Sequence, residues 1–109
     1  MSQDLIQAIN HKMRELDFSL TEFKNDGQAK AETEYQYRVA LTAKMAELRD
    51  MGEKATTLRD FARGDKEVAL LAKKRDIALT MYEASQSALQ NCKLQLRILD
   101  AQIAREWGR

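Results

Sequence analysis

Counted from Val68 in alternating steps of three and four, the chain places Val68, Leu71, Arg75, Ala78, Tyr82, Ser85, Leu89, Cys92, Leu96, Leu99 and Ile103 on one seam without a slip of phase. A 3.5-residue repeat held this long fits one long α-helix that lays a single face against another helix. Only Arg75 and Ser85 on it are poorly suited to burial, while Leu79, Leu94 and Ile98 flank it and predict a broader apolar stripe. The ends are marked as well. Gly64 suits the end of a preceding helix, Asp65 an N-cap, Glu67 a first turn, and Gly108 follows the last turn. The expected helix covers about residues 66–106 and is roughly 60 Å long at 1.5 Å per residue.

The N-terminal arm, about residues 3–51, carries the same spacing twice. Ile6, Ile9, Met13, Leu16, Leu20 and Phe23 form a first run, which Ser2 or Asp4 can cap. The run lapses at Asn25-Asp26-Gly27 and resumes on a shifted phase as Tyr37, Leu41, Met45, Leu48 and Met51. The shift predicts two helical pieces with a break or kink near Gly27, the alternative being one long helix with a weak spot there. Gly52 then ends the arm. A corner helix is expected at about 57–63, capped by Thr56 or Thr57 and turning Leu58, Phe61 and Ala62 inward.

The chain is therefore expected to be all-α, a single helical domain over residues 1–109, drawn out as an elongated antiparallel helical hairpin. With 109 residues, no proline and four glycines, it has few places to turn. A slender hairpin of this length buries little by itself, so a homodimeric helical bundle, or a different partner supplying helices, is the favoured arrangement. Leu89, Cys92, Leu96, Leu99 and Ile103 are the candidate seam and oligomer interface. The rival is a monomeric three-helix bundle folded back at Gly27.

Little in the sequence suggests catalysis. His11 and Cys92 are the only histidine and cysteine, far apart and without metal-ligand spacing around them. His11 reads as a surface residue and Cys92 as a small buried hydrophobe, with no basic neighbour to activate it. The glycines are isolated, so no phosphate loop is formed, and a hairpin offers no cleft for an acid–base pair. Neither an enzyme nor a cofactor is expected. No apolar run is long enough to cross a membrane, the first residues resemble no secretory signal, and the single cysteine suits a reducing compartment.

Charge is balanced overall, +1, but unevenly placed. Residues 54–75 hold Lys54, Arg59, Arg63, Lys66, Lys73, Lys74 and Arg75 against Asp60, Asp65 and Glu67, so the basic excess sits around the corner. Arg59, Arg63, Lys66, Lys73 and Lys74 are candidate contacts to nucleic-acid phosphates or to an acidic protein. Against that stands local neutralisation by Asp60, Asp65, Glu67 and Asp76. Arg75, on the seam itself, is the candidate register-setting polar core residue, pairing across the hairpin with Glu34, Glu47 or Asp50. Trp107 reads as a last-turn contact with the N-terminal helix or as an exposed binding anchor, the first being favoured.

The run Tyr37-Arg38 with Leu41, then Thr57, Phe61-Ala62-Arg63-Gly64-Asp65, Val68-Ala69, Leu71, Arg75-Asp76, Ala78, Tyr82-Glu83-Ala84, Leu96 and Leu99 resembles small all-helical proteins encoded in the early regions of bacteriophages and prophages. The likeness spans about residues 35–107 and carries no site residues with it. It implies a bacterial host cytoplasm and a role serving the phage. The resulting expectation is a helical protein that binds a host or phage protein, for example to inhibit a bacterial defence or nuclease complex. A nucleic-acid-binding accessory of phage recombination or replication, and a structural component of phage assembly, are the alternatives.

Overall fold

The computed structural model describes residues 3–108 and is all-α, with helices α1 (Gln3–Asp50), α2 (Ala55–Gly64) and α3 (Lys66–Trp107). The chain divides into two compact units. One holds the chain up to Asp26 and from Tyr82 onward, and the other holds Gly27–Met81. Within each, α1 and α3 run antiparallel, the hairpin pairing that the seams predict.

The α3 seam is the best-kept expectation. All its positions from Val68 to Ile103 are buried or half-buried, Arg75 and Ser85 included. The broader stripe is absent, because Leu79, Leu94 and Ile98 are 39%, 50% and 52% exposed.

The expected break at Gly27 is overturned, since α1 is one helix of 48 residues. A glycine inside a helix costs only about 1 kcal/mol relative to alanine, too little to stop a helix supported on both sides. The second run is kept, with Tyr37 and Leu41 buried and Met45 and Leu48 half-buried, but the first run is misplaced. Ile6, Met13 and Leu20 are exposed, and the covered positions are Leu5, Ile9, Lys12, Leu16, Ser19, Phe23 and Asp26. These keep step with Thr33, Tyr37, Ala40 and Lys44 beyond the glycine. Apart from the exposed Lys30 the seam keeps one phase, and its polar members hid it from a search for apolar spacing.

In the first unit Leu89 and Cys92 are buried, and the Phe23 and Tyr82 rings lie 5.0 Å apart at 31°. The polar seam residues are partnered: Ser85 donates to the Asp26 carboxylate, and the Cys92 thiol reaches the Lys12 carbonyl at 3.6 Å. In the second unit Tyr37, Leu41, Ala62 and Val68 form the core, with Ala40, Met45, Leu48, Leu71 and Ala72 packed against it. Ala62 is fully covered and Val68 is 2% exposed. The small Ala62 side chain lets α2 approach closely.

The corner is built from two caps. Gly52, at φ 93°, ends α1 in a Schellman arrangement: Glu53 N–H reaches Leu48 O and Gly52 N–H reaches Arg49 O, both at 3.0 Å. Asp65 both closes α2 and opens α3. Its N–H bonds Ala62 O at 3.2 Å, while its Oδ2 accepts Glu67 N–H at 3.1 Å and Val68 N–H at 3.2 Å. Gly64 has no positive φ, so the turn depends on Asp65 and not on glycine freedom. α2 starts at Ala55, earlier than expected, and Lys54 occupies the N-cap without a side-chain bond. Thr57 donates its hydroxyl to Glu53 at 2.6 Å instead of capping.

Two further expectations fail on exposure: Phe61 points outward at 58% and Met51 stands 74% exposed. Trp107 is 70% exposed. Phe61 precedes the buried Ala62 by one residue, a 100° rotation that carries it off the covered face of a helix only ten residues long. Ser2, a candidate cap of α1, lies outside the described residues.

Candidate functional site

Arg75 sits on the seam with its guanidinium carbon 4.1 Å from the centroid of the Tyr37 ring. Its Nε lies 3.8 Å from Glu34, one of the three cross-hairpin partners expected for it, and Nη2 lies 3.1 Å from Asp76. Burial disfavours the charge, but the bonds to Asp76 and the Tyr37 contact outweigh it and hold the guanidinium more firmly protonated than usual. The stem covers the seam while the head is gripped on three sides. A leucine could fill the volume, but it would answer neither Glu34 nor the ring face.

Lys44 reaches both Glu47 and Asp65 at 3.3 Å, tying α1 to the Asp65 cap. Asp65 is held below the ordinary carboxylate range, first by the Val68 N–H and then by Lys44. In return Asp65, followed by Glu47, raises Lys44. Two of the carboxylates expected to neutralise the basic corner are thus engaged elsewhere, Asp65 by Lys44 and Asp76 by Arg75.

Arg59, Arg63, Lys66, Lys73 and Lys74 are all exposed, and none forms an ion pair among the described residues. They do not all line one groove. Arg63 and Lys73 line a surface groove of about 580 Å³ with Ala69, Ala72, Asp76, Ile77, Thr80 and Met81. Lys66 lines a different hollow, beside Glu47, Asp65 and Glu67. Arg59 and Lys74 line neither. The acidic neighbours of Lys66 offset its attraction for phosphate, which leaves Arg63 and Lys73 as the pair the fold brings together.

Leu89 and Cys92 are buried within their own unit, and Leu96, Leu99 and Ile103 are half-covered on the same seam. His11 is on the surface, 2.8 Å from Glu15. Sequence reasoning missed the apolar residues that face solvent: Tyr35 and Val39 on α1, and Leu70, Ile77 and Met81 on α3, each half exposed or more. Their own spacing was a usable signal, since Leu70, Ile77 and Met81 step by seven and four on the side away from the seam. No helix among the described residues is long and apolar enough to cross a membrane. No family model, curated protein or solved structure matches the chain.

Proposed function

We propose that this chain is a non-enzymatic helical protein that acts by binding another protein through the corner formed by residues 51–64. The observation that carries the reading is a well-capped corner that leaves Met51 74% and Phe61 58% exposed, next to the unpaired Arg59 and Arg63. Aromatic and arginine side chains supply most of the energy of protein interfaces, and a short helix closed by the Asp65 turn presents them at little cost in ordering. The resemblance of residues 35–107 to small phage proteins suggests a partner from the bacterial host or the phage, a defence or nuclease complex being one concrete case.

The test is affinity capture from bacterial lysate with the wild-type chain and with Phe61→Ser and Arg59→Glu. Both positions are exposed, so both variants keep the fold. A protein held by the wild type and lost by both variants supports the corner as the binding surface. Equal capture by all three, or capture of nothing, removes it.

The five unpaired basic side chains favour a second reading, nucleic-acid binding. It requires binding to single- or double-stranded DNA that weakens steeply with salt, as release of counterions from phosphates dictates. No binding at low salt eliminates it.

A further inference from the structure

The groove lined by α3, with Arg63 of α2 at its edge, has the spacing of a helix face. Ala69, Ala72, Lys73, Asp76, Ile77 and Thr80 recur at the three- and four-residue spacing of one helical face. We propose that its occupant is a second copy of this chain, packed antiparallel, α3 on α3, about a two-fold axis between Lys74 and Arg75.

In that orientation the stripe is complementary to itself. A two-fold axis there sets Lys73 against the partner's Asp76 and Asp76 against the partner's Lys73. It also sets Ala72 against the partner's Ile77 and Ala69 against the partner's Thr80. Each small side chain of the first half meets a larger one of the second, which is the self-match an isologous interface needs. Parallel packing would instead put lysine on lysine and aspartate on aspartate, an arrangement that like charges disfavour.

Lys73 is free to pair, and Asp76 keeps one carboxylate oxygen for a partner. Lys73 forms no ion pair among the described residues, and Arg75 donates twice to Asp76 Oδ1, leaving Oδ2 without a bond there. Asp76 is 67% exposed. The apolar part is equally open, with Ile77 54% and Met81 53% exposed and Leu70, at 50%, beside them.

The area of the whole chain leaves room for a partner. The chain exposes 8115 Å². A folded monomer of its 12.5 kDa exposes roughly 6,200 Å², an excess of about 1,900 Å². A standard interface removes about 800 Å² from each partner. The corner's Met51, Arg59 and Phe61 do not line the groove, whereas Arg63 does, so the variants that test the groove are placed on α3 alone.

Sedimentation equilibrium of the full chain at low salt, over a range of concentrations, tests it. The expected result is a mass rising from one chain to two. Lys73→Asp raises the dissociation constant about tenfold by turning two attractions into repulsions. Combining Lys73→Asp with Asp76→Lys restores the reciprocal pairs and brings the constant back toward wild type. Ile77→Asp, at an exposed position, gives a single chain whose far-ultraviolet circular dichroism is unchanged. A one-chain mass at every concentration overturns the proposal and leaves the groove to another protein or to solvent. A dimer indifferent to Ile77→Asp, or a double variant as weak as Lys73→Asp alone in a chain of unchanged helicity, overturns it as well.

Discussion

Arg75 shows how one residue can satisfy a seam it does not suit. Its position was readable from the heptad, and so was Glu34 as a partner. The Tyr37 ring beneath it was not, because stacking depends on how far α1 is rotated against α3. A double-mutant cycle with Arg75→Met and Tyr37→Leu should give a coupling of about 0.5–1 kcal/mol in chemical denaturation. Additive losses would mean that the two are merely neighbours. The glycines separate by backbone. Gly64→Ala should stabilise by about 0.5–1 kcal/mol, because its φ is not positive and an added Cβ meets open space. Gly52→Ala should destabilise, because φ 93° strains any side chain there. Asp65 is the pH-sensitive point. Its folded pKa is depressed, so its contribution is complete above the unfolded value and is lost as pH falls through the folded one. Thermal midpoints should therefore fall as acid is added below about pH 4. Asp65→Asn, which can still cap α3, should flatten that fall, and an unaltered profile would assign it to other carboxylates.

At the scale of elements, α3 was legible because its seam is apolar almost throughout. α1 was not, because Lys12, Ser19, Asp26 and Thr33 occupy seam positions. Hydrophobic spacing cannot see a covered position filled by a polar residue, so Ile6, Met13 and Leu20 were read in place of their neighbours. Continuity of α1 makes a measurable difference. Amide hydrogens from Asn25 to Lys30 should exchange slowly, like those on either side, whereas a break at Gly27 would leave them among the fastest. Protection should be greatest around Tyr37–Leu48 and Ala62–Ala72, where the second unit's core lies, and should fade toward Gln3 and Trp107. The corner helix was anticipated, but not its orientation. One residue of rotation decides whether Phe61 or Ala62 is covered, and only the packed neighbours choose.

For the whole molecule, the balance of covered and uncovered apolar surface matters most. No large side chain is fully buried among the described residues, while Phe18, Val39, Ile77 and Met81 are more than half exposed. A chain in this state gains from any partner that covers such faces, and association then feeds into stability by mass action. The thermal midpoint should accordingly rise with protein concentration and lose that dependence in Ile77→Asp. A midpoint independent of concentration over two orders of magnitude would mean that the folded chain stands alone.

The sequence by itself determined that the chain is helical, where α3 begins and ends, and which face of α3 is covered. These follow from local propensity, capping and a strict repeat, all carried by residues near one another along the chain. The tertiary structure decided the rest: the continuity of α1, the outward turn of Phe61, the stacking of Arg75 on Tyr37, and the separation of Lys66 from Arg63 and Lys73. Each depends on the rotation and depth of one helix against another. That is settled by polar seam partners such as Asp26 and Ser85, and by the room that Ala62 leaves. The long seam on α3 accounts for one of its faces, and the groove on the other became visible only once the helices were packed.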